Sequence, residues 1–323
     1  MKKNWQRIGL ASALSFTLVA AGCGTDDGDD NGADSTDDNG TGEEADDEED
    51  SDDNGETANY GEEVNYTIVG IDPGAGVVAA AEQAIEDYDL EGWSVQTSSS
   101  AAMTQELTNA YENEEPILVT GWTPHWKFEA MDLKILDDPE LSFGEAESIH
   151  TIVREGLEED LPEGFAVLDN FAWTAADMDE VMLEISEGVA EEEAAQNWID
   201  ANEDVVSEWT ADAGEVDGES IDLAYVPWET EIASTNVVAL VLESIGYEVN
   251  MSSMEANIMF TAIANGDADG MVAAWLPYTH EEYYAQMEDQ FVDLGPNVDG
   301  EAALGLTVPS YMNIDSIEDL RED

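Results

Sequence analysis

From Asn65 onward, apolar positions follow two alternating spacings. Short apolar runs at Asn65 to Gly70, Trp93 to Thr97 and Ile117 to Thr120 predict buried strands. Between them, Val77 to Tyr88 and Ala101 to Tyr111 carry apolar residues three and four apart, and predict helices. A second series begins at Ile221: strand to Val226, helix Ile232 to Ser244, strand Tyr247 to Asn250, helix Ala256 to Ala264, strand Met271 to Ala274. This is the strand–helix–strand rhythm of an α/β protein. Between the two series, Asp177 to Glu187 and Glu191 to Trp209 predict helices with acidic outer faces.

The two series run in step. Each ends in an apolar strand that delivers Trp, one residue, Pro and then a histidine: Gly121-Trp122-Thr123-Pro124-His125 in the first, Ala274-Trp275-Leu276-Pro277-Tyr278-Thr279-His280 in the second. Gly70 precedes Trp122 by 52 positions and Val226 precedes Trp275 by 49, so these are equivalent strand ends in two similar lobes. Open α/β sheets bind ligands at the carboxyl ends of their strands, and two facing lobes make a cleft there. The residues at those ends are Asp72 to Val77, Trp122, Pro227-Trp228-Glu229, and Trp275 with His280. A single Trp in such a place reads as packing at the lobe edge. Three of the nine Trp in equivalent places read as a cage for a quaternary ammonium, held by cation–π attraction at roughly 0.5 to 2 kcal/mol per ring once water is excluded.

The turn Gly74-Ala75-Gly76-Val77 opens a helix, so its free backbone N–H groups and positive dipole end suit an anion such as a carboxylate. It is not a dinucleotide fingerprint, because Ala79 stands where a third glycine is needed and the second strand ends at Thr97-Ser98-Ser99 rather than at an acid. A cation cage beside an anion turn describes a zwitterion.

Composition narrows the partners. The chain has 323 residues, 43% of them hydrophobic, enough for a sizeable core. Against 78 Asp and Glu stand 7 Lys and Arg, a formal charge of −71, which repels phosphate at every contact and excludes a nucleic-acid partner. Residues 24–63 hold 19 acids and no base, leaving 59 acids against four bases in 64–323, so the excess is spread over the folded part. Such acidity is a device for staying soluble in concentrated salt, and predicts a halophilic origin. Residues 23–63 are too polar to bury a core and read as an acidic, disordered tether, with folding starting near Val64. A zwitterion, neutral overall, is neither steered nor rejected by this surface.

The chain opens with a basic segment (Lys2, Lys3, Arg7) followed by an apolar run, Ile8 to Ala21, too short for a membrane span. Residues 1–22 therefore read as a signal peptide. Leu18 to Cys23 resembles the bacterial lipobox, with Ala20 where that pattern prefers Leu; the alternative is ordinary signal-peptidase cleavage with a free thiol. Cys23 is the single cysteine, which excludes an intramolecular disulfide, and lipidation of Cys23 predicts a chain tethered outside the cytoplasmic membrane. No metal or cofactor is expected. The three histidines offer no helical pair for zinc, so His125 and His150 read as orienting or packing residues. Asn265 to Gly270 imitates the start of a calcium loop but has Leu276 at the twelfth position, and reads as a turn. No nucleophile elbow, phosphate loop or paired-histidine zinc motif occurs.

Longer stretches are recognisable. Ile68 to Gly76, Ser98 to Thr104, Thr120 to Trp126, Ile149 to Arg154, Ile232 to Asn236 and Ala274 to Pro277 resemble the glycine betaine binding lipoproteins of osmoprotectant ABC importers, in the order of the Bacillus-type proteins. The resemblance implies a two-lobed, type II periplasmic-binding-protein fold with the ligand cleft between lobes. It further implies a prism of Trp122, Trp228 and Trp275 around the trimethylammonium group, and a carboxylate held by the Gly76 and Val77 amides and His280. Ile149 to Arg154 and Leu304 to Pro309 would be the crossovers, giving one lobe from residues 64–152 plus 309–323 and another from 153–308. The implied function is a monomeric extracytoplasmic receptor, not an enzyme, that passes glycine betaine or a similar zwitterion to an ABC transporter permease. The alternatives are a preference for choline, carnitine or proline betaine and, in another class, a secreted glycosidase using paired carboxylates.

Overall fold

A computed structural model describes residues 60–321. The signal peptide, Cys23 and all of the tether before Tyr60 lie outside the described residues. Within the tether stretch, Tyr60–Glu63 is a short helix, α1, whose Tyr60 packs on the core and whose hydroxyl accepts the Asn313 N–H at 2.8 Å.

The first series comprises β1 (Thr67–Val69), α2 (Gly76–Asp87), β2 (Ser94–Gln96), α3 (Ser100–Glu112) and β3 (Val119–Thr123). It continues through α4 (Lys127–Ala130), β4 (Leu133–Ile135) and β5 (Glu147–Arg154). A helical insert follows: α5 (Leu157–Asp160), α6 (Pro162–Asn170), α7 (Ala175–Ser186), α8 (Glu191–Ala201) and α9 (Glu203–Trp209). The second series is β6 (Ser220–Tyr225), α10 (Glu229–Ser244), β7 (Glu248–Ser253), α11 (Ala256–Asn265) and β8 (Gly270–Leu276), followed by α12 (Glu281–Met287) and the long β9 (Phe291–Pro309). Each strand and helix expected from apolar spacing has its counterpart, with ends shifted by a few residues. The exception is Glu191 to Trp209, which is two helices. Asn202 breaks it by turning its side-chain amide back to the Trp198 carbonyl (2.9 Å), a local bond that competes with continued helix.

The strands lie in the order β2-β1-β3-β9-β5-β8-β6-β7, with β4 on β9. β1 pairs in parallel with β2 and β3, and β6 pairs in parallel with β7 and β8. The two parallel groups are joined by β9, which runs antiparallel to β3 and β4 through residues 303–309 and to β5 through 291–302. β5 pairs antiparallel with β8 as well. The fold is thus α/β with two lobes, each carrying one series. β8 is apolar and buried along its whole length, and Ile68 of β1, Val119 of β3 and Ile221 and Leu223 of β6 are buried with it. The outermost strands β2 and β7 expose Ser94, Gln96, Glu248 and Asn250, polar edges that discourage pairing with another chain.

Candidate ligand-binding site

Both parallel groups point their carboxyl ends at one place. Ile71 follows β1, Trp122 lies near the end of β3, Trp228 follows β6 as the residue capping α10, and Trp275 lies near the end of β8. Together with Val77, Thr279 and Leu304, these four line one small apolar pocket. All three indoles are buried. The Trp122 and Trp228 rings stand 6.5 Å apart with planes 47° to one another, so they form adjacent walls rather than a stack. Such converging π faces attract a cation from which water is excluded.

Each indole is held from behind. Trp275 Nε1 donates to Glu231 Oε1 at 2.7 Å, and Trp228 Nε1 donates to Asp72 Oδ1 at 3.0 Å. The Glu231 carboxyl, wholly buried in the first turn of α10, is pushed up to about 7 by burial despite the hydrogen bonds from Thr230 and Trp275. Behind Trp122 lies the ammonium of Lys127, itself buried, 4.3 Å from the ring centroid; burial lowers it to about 7. Glu231 and Lys127 escaped sequence reading. One is hidden among so many acids, and the other is marked only by being one of four bases in the fold.

The anion end is built from two elements. Gly76 and Val77 are the first residues of α2, whose N–H groups have no acceptor within the helix, and Ala75 before them offers no side-chain cap. The second is His280, which follows Thr279 and is buried, its ring stacked on Trp228 at 5.8 Å and 15°. Its Nδ1 accepts the Trp275 N–H at 3.0 Å, which fixes the proton on Nε2. Nε2 is buried and has no hydrogen-bond partner among the described residues. Burial lowers the ring to about 3, so it is a neutral donor throughout the physiological range.

The loop before His280 is anchored by Glu147, a buried carboxylate on β5 that accepts the Tyr278 and Thr279 N–H groups, each at 3.0 Å, and the Thr279 hydroxyl. Burial pushes Glu147 upward. This places the Thr279 carbonyl against Gly76, where a Cβ would lie 2.2 Å from it. Tyr283 then reaches across to the Gly74 carbonyl at 2.9 Å.

No histidine lines the pocket itself, and the other two are held by partners of their own. His125 Nδ1 accepts the Lys127 N–H at 3.2 Å, its ring packed against Trp122 at 5.0 Å. His150 is paired with Asp293 at 2.9 Å on the crossover strands. Residues 266–269 form the turn before β8, where the Asp269 carboxylate takes Arg154 Nε (2.7 Å) and the Asp222 N–H (2.8 Å).

Two lobes meeting over one small apolar pocket define a solute-binding protein, and sequence comparison gives its kind. The pattern of the family described as the substrate binding domain of ABC-type glycine betaine transport systems matches residues 45–201 and 219–323. The chain belongs to that family. It is 56% identical over 266 residues to the glycine betaine/carnitine transport binding protein GbuC of Listeria monocytogenes, covering 81% of this chain and 88% of that one. Among solved structures, lactococcal OpuAC in its closed-liganded conformation with glycine betaine is 48% identical over 46% of this chain and 59% of its own, with a TM-score of 0.45. ProX of Borrelia burgdorferi, a glycine betaine/L-proline-binding protein, is 35% identical over 46% of this chain and 57% of its own, with a TM-score of 0.43. The chain thus spans less than two thirds of the length of either of these two solved chains.

Proposed function

We propose that this protein is the extracytoplasmic receptor of an ABC importer, taking up glycine betaine or a close relative and giving it to the permease. It is a binding protein and not an enzyme. The observation that carries the reading is the adjacency of two unlike ends: three indoles line one pocket with Val77 and Thr279, and beside it lie His280, stacked on Trp228 with its Nε2–H unpartnered among the described residues, and the Gly76 and Val77 amides that open α2. A trimethylammonium group belongs at the first end and a carboxylate at the second. In this reading Trp122, Trp228 and Trp275 enclose the cation, and Gly76, Val77 and His280 donate to the anion.

The reading extends to the lobes and the anchor. The lobes in this reading are 64–152 with 309–323, and 153–308, with β5 and β9 as the crossovers; what supports β9 as a crossover is that it serves β3 and β4 with one half and β5 with the other. Lipidation at Cys23 tethers the protein to the outer face of the membrane, and no helix among the described residues is long and apolar enough to cross it. The acidic surface belongs to a halophile.

Titration calorimetry with glycine betaine, proline betaine, carnitine and choline tests the ligand class. Glycine betaine is expected to bind one to one and choline far more weakly, since a hydroxyl gains less than a carboxylate from three N–H donors. His280→Ala is expected to weaken glycine betaine by about 10-fold or more, the worth of a hydrogen bond to a charged group, and to leave choline nearly unchanged. Equal affinity for choline and glycine betaine would make this a choline receptor. No binding of any of the four would overturn the reading.

A further inference from the structure

Ser98 to Thr104 is a family-like motif that the ligand site leaves unused. Its Ser99 caps α3 by accepting the Ala102 N–H at 3.2 Å, which leaves the Ser100 hydroxyl on the first turn free to point elsewhere. That hydroxyl donates to Glu229 Oε2 at 2.5 Å, and the Thr104 hydroxyl approaches Glu229 Oε1 at 3.4 Å. α3 belongs to the first series and α10, which begins at Glu229, to the second. From the first series as well, His125 Nε2 faces the same carboxylate at 3.8 Å. Because His125 Nδ1 accepts the Lys127 N–H, the proton is on Nε2, turned toward Glu229.

Glu229 directly follows Trp228, whose indole N–H also crosses to the first series, at Asp72. The two neighbours thus reach in the same direction, one through a donor and one through an acceptor. Burial by itself would raise the Glu229 carboxyl, yet His125 and Ser100 hold it at about 2, so it is charged whenever it lies between the lobes. An anion beside the first turn of a thirteen-residue helix is also favoured by the helix dipole.

We infer that Glu229 is a closure latch: its carboxylate, engaged by Ser100, Thr104 and His125 only when the lobes meet, holds Trp228 in the completed cage and so sets how long the ligand stays. Glu229 is a positioning residue that touches the opposite lobe rather than the ligand. The inference rests on the betaine reading. A latch that engages after encounter governs release and leaves association nearly untouched.

Stopped-flow tryptophan fluorescence with glycine betaine, on the intact protein, reads both rates. Glu229→Ala is expected to speed dissociation by about 10-fold or more while association changes less than about 3-fold. Glu229→Gln, which keeps an acceptor for Ser100 Oγ, should fall between Glu229→Ala and the parent. Ser100→Ala, made from the other lobe, should also speed release, and the double variant should release no faster than Glu229→Ala alone, as expected for partners in one contact. Parent-like dissociation in Glu229→Ala, or Glu229 and Ser100 effects that multiply, would overturn the latch. Trp122→Ala in the same series separates the two readings. If it weakens binding while Glu229→Ala releases at the parent rate, the cage stands and the latch falls; if the parent itself gives no signal, the betaine reading falls and the latch with it.

Discussion

Replacing Trp275 with alanine is expected to weaken glycine betaine binding by on the order of 100-fold, about 3 kcal/mol, the largest loss among the three indoles. Trp122→Ala and Trp228→Ala should each cost about 1 to 3 kcal/mol by removing one wall of a desolvated cage. The ranking follows from what lies behind each ring. Trp275 Nε1 is a hydrogen-bond donor to the wholly buried Glu231, whereas Trp122 Nε1 has no partner among the described residues. Phenylalanine should therefore be tolerated better at 122 than at 275. Trp275→Phe keeps a π face but strips a donor from a buried carboxyl, which should lower the melting temperature by a loss of about 1 to 3 kcal/mol. Titration calorimetry with thermal melts checks both. Three alanine variants that bind like the parent would remove the cage from the account.

Gly76→Ala should be nearly as damaging to binding, through sterics alone. A Cβ at this position meets the Thr279 carbonyl at 2.2 Å and the carbonyl carbon at 2.9 Å. Those are backbone atoms held by Glu147, so no side-chain rotation relieves the contact. Because Gly76 opens α2 in one series and Thr279 follows β8 in the other, the clash opposes lobe closure and not the folding of either lobe. Affinity is expected to fall by on the order of 100-fold, about 3 kcal/mol, as overpacking of a rigid contact costs. The ligand-free melting temperature should stay close to the parent's. A melting temperature that falls in step with affinity would place the Gly76–Thr279 contact in the folding of the lobes instead.

The pocket was legible in the sequence because its walls are rare residues at repeated positions. Trp122 and Trp275 each follow an apolar strand and precede a Pro, and the matching spacing of the two series puts them at corresponding strand ends. The α/β alternation was equally readable, since buried parallel strands are written as unbroken apolar runs such as Met271 to Ala274. What supports the pocket was less readable. Glu147 and Glu231 hold it from behind, yet in a chain with 78 acids an acid beside a strand end has no contrast. The break at Asn202 was missed for a related reason: helical spacing continues across it, and only the side-chain bond to the Trp198 carbonyl shows where the backbone turns aside. Lys127 was the one supporting residue with contrast, a lone base between Trp126 and Phe128, and its place behind Trp122 explains that pattern.

The central claim is a mode of binding, cation among the indoles and carboxylate at the head of α2, and a crystal structure of the protein with glycine betaine tests it most directly. The account predicts the trimethylammonium nitrogen between Trp122, Trp228 and Trp275, with the carboxylate accepting from the Gly76 and Val77 amides and from His280 Nε2. Glycine betaine found instead in the larger hollow bounded by Pro73, Gln83, Tyr278 and Tyr283, with the indole pocket unchanged, would contradict it.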